Sequence, residues 1–341
     1  MAAERNSTGY LQADATTFPS GMKALGDYIH GKGLKYGLYG DPGTMTCQRR
    51  AGNENHEKID ALTYAEYGAD YFKYDSCYAS HDYQLHAYMD MRDALNATGR
   101  PIAYSICPDA SRCNNAKAVM WDASSVANVI MCRGDGGGGW CRSHPGLFPE
   151  SDQLGDINPT WHSWTCILES NIQFDSMRYA GPGHYIMPDI MEVGNGMTTA
   201  EDISHFSLWA MIAAPLIAGN DVRSMSKTTL DILTNEEVIA VNQDPQGKPG
   251  RRIYQSENKT AEVWSRQLYD GNYAVVLFNR DNSTEQAITL QWSYVGLPND
   301  QPASLRDLWL HKELGVKMSN YTSQLPPHSV LMMKVTQVKG G

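Results

Sequence analysis

The sequence contains no run of about 18 apolar residues, the length a membrane-crossing helix needs, and its opening Met1-Ala-Ala-Glu-Arg has no apolar signal segment. It is also short of positive charge, with 28 Lys and Arg against 38 Asp and Glu and a formal net charge of -10. Phosphate binding needs clustered Lys and Arg, so neither nucleic acid nor an anionic membrane surface is expected as the main partner; a neutral substrate fits better. Cys-x-x-Cys pairs and His-x-x-x-His spacings are absent, which argues against zinc, and no metal or organic cofactor is expected. The glycine run from Gly134 to Gly139, broken by Asp135, has no Lys-Ser/Thr after it, which argues against a phosphate cradle.

What is present points to two domains and an oxidising compartment. At 341 residues and 42% hydrophobic content the chain exceeds one typical domain. Seven cysteines, at positions 47, 77, 107, 113, 132, 141 and 166, allow at most three bridges and leave one thiol over. Five glycosylation sequons begin at Asn6, Asn96, Asn258, Asn282 and Asn320, while Asn158 is followed by Pro and does not count. Together these favour a secreted, extracellular glycoprotein.

Up to about residue 240, short apolar runs alternate with helical patterns, the signature of a parallel α/β sheet or barrel. Helices are expected around Gly21–Gly33, His56–Tyr67 and Gln84–Leu95, with strands at Lys35–Tyr39, Asp70–Asp75 and Pro101–Ile106. Residues 107–155 read as a long decorated loop region. Helical spacing resumes at Asn158–Asn171, Ala200–Ala213 and Thr228–Asn242, with a strand at Pro215–Ala218. Beyond the Pro- and Gly-rich segment 243–250 come alternating strands at Ala261–Trp264, Tyr273–Phe278, Ala287–Trp292 and Val330–Val335. The expected division is therefore a catalytic α/β domain over 1–244 and a β-sandwich over 251–341.

One strand carries chemistry. In Tyr71-Phe72-Lys73-Tyr74-Asp75, side chains alternate, so Tyr71, Lys73 and Asp75 share a face. A charged face inside a barrel is costly unless used, and barrel enzymes keep their chemistry at the C-terminal ends of strands. Lys73 reads as the cation that keeps Asp75 ionised, as a nucleophile requires. The alternatives are a structural ion pair or an Asp capping the following turn. Tyr39-Gly40-Asp41 closes the previous strand in the same style, with Cys47 in the loop after it as Cys77 follows Asp75.

Longer motifs sharpen this. Leu11-Gln-Ala-Asp14 with Phe18-Pro-Ser-Gly21, Gly33-Leu-Lys-Tyr-Gly-Leu-Tyr-Gly-Asp41 and Gly68-Ala-Asp-Tyr-Phe-Lys-Tyr-Asp-Ser-Cys77 resemble the melibiases, the family 27 glycoside hydrolases, in their secreted fungal form. Ala180-Gly-Pro-Gly183, Pro188-Asp189, Glu192-Val-Gly-Asn195, Ala213-Ala-Pro-Leu216 and Asn242-Gln-Asp-Pro245 continue the likeness in order. The resemblance implies a (β/α)8 TIM barrel followed by a C-terminal antiparallel β-sandwich, and retaining hydrolysis of terminal α-galactosides or related sugars. It assigns Asp75 as nucleophile and Asp156, ahead of Trp161, as general acid/base; Tyr39 and Lys73 fall on sugar-contacting positions, and Cys47 and Cys77 on a rim disulfide. A retaining mechanism needs two carboxyls about 5 to 5.5 Å apart, one ionised and one holding a proton. Without the resemblance, Asp156 also reads as an N-cap for the following helix. Asp41, beside Tyr39 on the same rim, is expected to take part in substrate binding.

Three departures qualify the likeness. The family's opening strands have no counterpart before Leu11, so the barrel is expected to lack about two of its eight strands. Ser105-Ile-Cys107-Pro108-Asp109 stands where the family has Cys-Glu-Trp, leaving Asp109 as the candidate reader of the sugar's 2-hydroxyl and opening other specificities: a β-L-arabinopyranoside, an N-acetyl-α-galactosaminide or an α-glucan end. Asp152 occupies the position of an Arg four residues before the acid/base, with Arg133 and Arg142 as candidates to replace it, and Ile186-Met187 leaves Asp189 alone as support beneath the site.

Overall fold

The computed structural model describes residues 1–108, 125–131, 156–173 and 180–338. The chain divides into two compact units, Met1–Gly136 and Gly137–Gly341.

In the first unit, helices and parallel strands alternate: α1 (Gly21–Gly31), β1 (Gly37–Gly40), α2 (Glu57–Glu66), β2 (Tyr71–Tyr74), α3 (His81–Ala97), β3 (Ala103–Ile106) and β4 (Val129–Ile130). Strands β1 to β4 are neighbours in sequence order, every pair parallel. The two faces of β2 explain its sequence. Phe72 and Tyr74 are fully buried and meet Tyr64 of α2, Tyr88 of α3 and Tyr104 of β3 in an aromatic layer, with the Phe72 and Tyr64 rings 4.4 Å apart. Lys73, on the opposite face, pairs in register with Tyr39 of β1 and Ser105 of β3. Period-two alternation thus sends the aromatics to the helices and the polar groups away from them.

The second unit contains α4 (Trp161–Gln173), β5 (Tyr185–Ile186), α5 (Thr199–Met211), α6 (Lys227–Leu233), α7 (Glu236–Asn242) and eight antiparallel strands. These are β6 (Arg251–Gln255), β7 (Ala261–Gln267), β8 (Tyr273–Asn279), β9 (Gln286–Gln291), β10 (Ala303–Asp307), β11 (Lys312–Lys317), β12 (Asn320–Leu325) and β13 (Val330–Gln337). Six form one sheet in the order β11-β10-β13-β8-β7-β6, and β9 pairs with β12. The near-continuous apolar run of β8 follows from burial on both faces. Ala274, Val276 and Phe278 join the core around Trp164 and Trp209 of the helices, while Val275 and Leu277 face Ile288, Leu290 and Met333 inside the sandwich.

Several expectations need correction. The pattern over Thr228–Asn242 is two helices: Ser226 caps the first, and Asn235 caps the second by accepting from Glu237 N and Val238 N, both at 3.1 Å. Pro215–Ala218 is not a strand but a single bridge from Ala218 to Met191; Pro215 has no N–H to give a ladder and Ala213 turns the chain with φ 56°. Strands β6, β11 and β12 carry little sequence signal because their polar exposed faces leave few apolar residues to alternate, whereas β10 does alternate, burying Ala303, Leu305 and Asp307. Strand β4 lies in the stretch read as loop. Contacts also cross the Pro- and Gly-rich segment 243–250: Arg252 of β6 pairs with Glu169 of α4, and Gly250 N bonds to Met211 O.

Candidate active site

The ends of β1 and β2 bring five of the expected residues together. Asp75 continues the β2 ladder one step past the strand, donating its N–H to Gly40 O at 3.1 Å, so its side chain emerges beside the β1 end. Its Oδ1 accepts from Ser76 N at 3.1 Å and its Oδ2 accepts the Tyr39 hydroxyl at 2.7 Å. Asp75 therefore does hold the start of the following turn, and still offers an oxygen bound by a side-chain donor. Tyr88 braces the same point from below: its hydroxyl lies 2.8 Å from Asp75 O and 2.9 Å from Cys107 O, tying the ends of β2 and β3.

Lys73 makes a different contact from the ion pair with Asp75. Its Nζ lies 3.5 Å from Met131 Sδ, and among the described residues no ion pair joins it to Asp75. Tyr39, paired in register with Lys73, reaches one step along the sheet and donates its hydroxyl to the Asp75 carboxylate. The loss of solvent around the Tyr39 hydroxyl, then the bond to Asp75 and its charge, raise the phenol pKa well above its ordinary value, which keeps this group a donor.

Cys47 and Cys77 form a disulfide that ties the loops after β1 and β2. Cys47 Sγ sits 3.4 Å from Asp75 Oδ2 and 3.1 Å from the Tyr39 oxygen. Asp41, Cys47, Asp75 and Cys77 thus converge as a four-residue cluster with metal-ligand spacing, but both sulfurs are spent in the disulfide and offer no thiolate. Asp41 departs from its expected role. Fully buried, it points Oδ1 at Gly43 N (2.9 Å) and Oδ2 at Cys77 N (2.8 Å), and so braces the loops instead of facing a substrate. Burial, opposed by these two N–H bonds and assisted by the charge of Asp75, raises its pKa to about 7.

Asp156 and Asp189 belong to the second unit. Asp156 is exposed just ahead of α4, and Thr160, not Asp156, caps that helix by accepting Ser163 N at 3.2 Å. Asp189 is buried and accepts the N–H of Ile157 at 3.1 Å and of Ile190 at 2.8 Å, so it supports the backbone immediately after Asp156. Asp109, Asp152, Arg133 and Arg142 lie outside the described residues, as do Cys113, Cys132, Cys141 and the glycine run. Cys166 is in a disulfide; Cys107 is buried with its sulfur 3.7 Å from Met131 Sδ.

Comparison with known proteins places this geometry. A family model described as alpha galactosidase A matches residues 1–130 and 150–244, and one described as the alpha galactosidase C-terminal beta sandwich domain matches 258–335. The chain belongs to the melibiase family. It is 41% identical to alpha-galactosidase 3 of Arabidopsis thaliana over 335 residues, covering 97% of this chain and 70% of that one. It is 38% identical to alpha-galactosidase A of Cellvibrio japonicus, covering 98% and 80%. Among solved structures it resembles alpha-galactosidase I from Mortierella vinacea, at 33% identity and TM-score 0.82 over 98% of this chain and 84% of that one. The fold class is accordingly that of the melibiases, a TIM-barrel glycoside hydrolase with a C-terminal β-sandwich.

Some parts of this melibiase site left no trace in the sequence. Asn53, whose Oδ1 accepts Asp41 N at 2.9 Å, and Tyr88 come from a loop and a helix whose local patterns are ordinary. Arg5 bonds Asp60 through both guanidinium ends, at 2.7 and 2.5 Å, across a separation of 55 residues that no spacing rule spans.

Proposed function

We propose that this chain hydrolyses terminal α-D-galactosyl residues by double displacement, with Asp75 as nucleophile and Asp156 as general acid/base. The observation that carries the reading is Asp75 itself, a half-buried carboxylate at the C-terminal end of a parallel strand, held by the Tyr39 hydroxyl at 2.7 Å in a chain of the melibiase family. Asp75 attacks the anomeric carbon as Asp156 gives a proton to the departing oxygen; water, deprotonated by Asp156, then releases the sugar and regenerates both groups. Tyr39 steadies the attacking oxygen, and the disulfide forms a rigid wall beside it. The relatives named alpha-galactosidase support the choice of galactose.

The test is a panel of nitrophenyl glycosides with the purified chain. Release is expected from the α-galactoside and is to be lost in Asp75→Asn; no release from the α-galactoside would sink the assignment. A secreted, glycosylated state belongs to the same proposal. Its support is that all five sequon asparagines are exposed and that Cys47, Cys77 and Cys166 are oxidised, as expected outside the cytosol. Deglycosylation of the protein from its own cells, read by mass, tests it.

A further inference from the structure

The chemistry above leaves one buried acid beside the nucleophile without a task. Asp41 is completely enclosed at the end of β1, and its two oxygens take one backbone N–H each, from Gly43 in the loop after β1 and from Cys77 in the loop after β2. Those are the loops the disulfide joins. Cys77 lies two residues beyond Asp75, Cys47 Sγ lies 3.9 Å from Asp41 Oδ2 and 3.4 Å from Asp75 Oδ2, and the two carboxyls approach within 4.8 Å.

Asp41 is itself held from behind. Its N–H donates to Asn53 Oδ1 at 2.9 Å and its carbonyl accepts Asn53 N at 2.8 Å; the Asn53 amide donates to Asp60 at 2.6 Å, and Asp60 is clamped by Arg5. A side chain so fixed on both sides transmits position well. Moving Cys77 would move the sulfur wall against which the Asp75 carboxylate rests.

We propose that Asp41 is a positioning residue for the nucleophile: by gripping the Cys77 and Gly43 amides it fixes the disulfide against Asp75 and so sets the direction from which that carboxylate attacks. The proposal rests on the reading of Asp75 as nucleophile. The identity of the side chain matters because a carboxylate accepts through both oxygens, whereas an amide accepts through one and turns an N–H toward the other donor. Asn at this position therefore loses one of the two grips. A displacement of about 1 Å in a reacting group costs on the order of 100-fold in rate.

The experiment uses the full chain, a nitrophenyl α-galactoside and a fluorinated galactosyl substrate that traps the covalent intermediate. In Asp41→Asn, kcat is expected to fall about 10- to 100-fold with KM unchanged within about twofold, and the trapping rate to fall in step, the label still on Asp75. A disulfide-free Cys47→Ala/Cys77→Ala background should absorb the effect, so that adding Asp41→Asn there changes kcat by less than about threefold. Should Asp41→Asn fail to fold, Asp41→Glu carries the same readout, because it keeps both acceptors but shifts them by a methylene. Trapping at Asp75 in the parent together with a wild-type trapping rate in the variant overturns the positioning role and leaves the nucleophile standing. A loss confined to KM overturns it as well. A parent chain labelled elsewhere than Asp75 removes the nucleophile on which the proposal depends.

Discussion

Replacing Glu169 by Gln should destabilise the second unit strongly at neutral pH and much less in acid. Glu169 on α4 takes Arg252 in two bonds, at 2.7 and 2.9 Å, and Arg280 at 2.9 Å; Glu262 takes the same two arginines at 3.0 and 2.9 Å. The four charges cancel in a buried square. Gln in place of Glu169 leaves two guanidiniums facing one carboxylate, and breaking a buried pair in this way costs about 3–5 kcal/mol. The pH dependence follows from the pKa of Glu169. Burial alone would raise it, but Arg252 and Arg280 outweigh that and bring it down from 4.5 to about 2. A depressed carboxylate adds stability above its unfolded pKa and loses it as pH falls through the folded one, so about 3 kcal/mol is at stake, of which about 2 is gone by pH 3. Urea unfolding followed by the fluorescence of Trp164, Trp209 and Trp264, all buried in the adjoining core, reads the difference at pH 6 and pH 3. The gap between parent and variant should shrink by about 2 kcal/mol between these two values. A variant as stable as its parent at pH 6, or a gap that does not change with pH, would refute the reasoning.

Other expectations follow from single observations. Tyr39→Phe removes the donor to Asp75 Oδ2, a bond to a charged group, and should lower kcat/KM by about 10- to 100-fold, equivalent to about 1.5–3 kcal/mol, in steady-state assays. The Cys47–Cys77 bridge closes a separation of 30 residues; its removal as Cys47→Ser/Cys77→Ser should cost about 3–4 kcal/mol, visible as a lower melting temperature by calorimetry, and an unchanged melting temperature would contradict it. Gly40→Ala would set a methyl group 2.5 Å from Asn53 Oδ1 and 2.8 Å from the Phe72 ring, both buried, and should destabilise by about 1–3 kcal/mol in a denaturant titration.

Much of the first unit was legible because its signals are local. Alternation in Tyr71–Asp75 fixes which residues face the helices, and the Gly-rich end of β1 fits a strand whose Gly40 has no room for a side chain. The polar strands of the sandwich were harder, since β11 and β12 bury almost nothing and so carry little periodicity. Asp189 takes the backbone N–H of Ile157, a contact 32 residues apart in the chain that no local pattern shows.

The amino-acid order by itself determined the β/α alternation, the sandwich and the family, and singled out Asp75 and Asp156 as candidates, because strand pattern and motif are properties of neighbours along the chain. Only the tertiary structure decided which groups meet at the strand ends. It replaced Lys73 by Tyr39 as the partner of Asp75 and turned Asp41 inward to hold two loops, and it assembled the Arg5–Asp60–Asn53 and Glu169–Arg252–Glu262–Arg280 networks. Those outcomes depend on strand register and on encounters across dozens of residues, where the cost of burying a charge selects a partner and linear spacing carries no information.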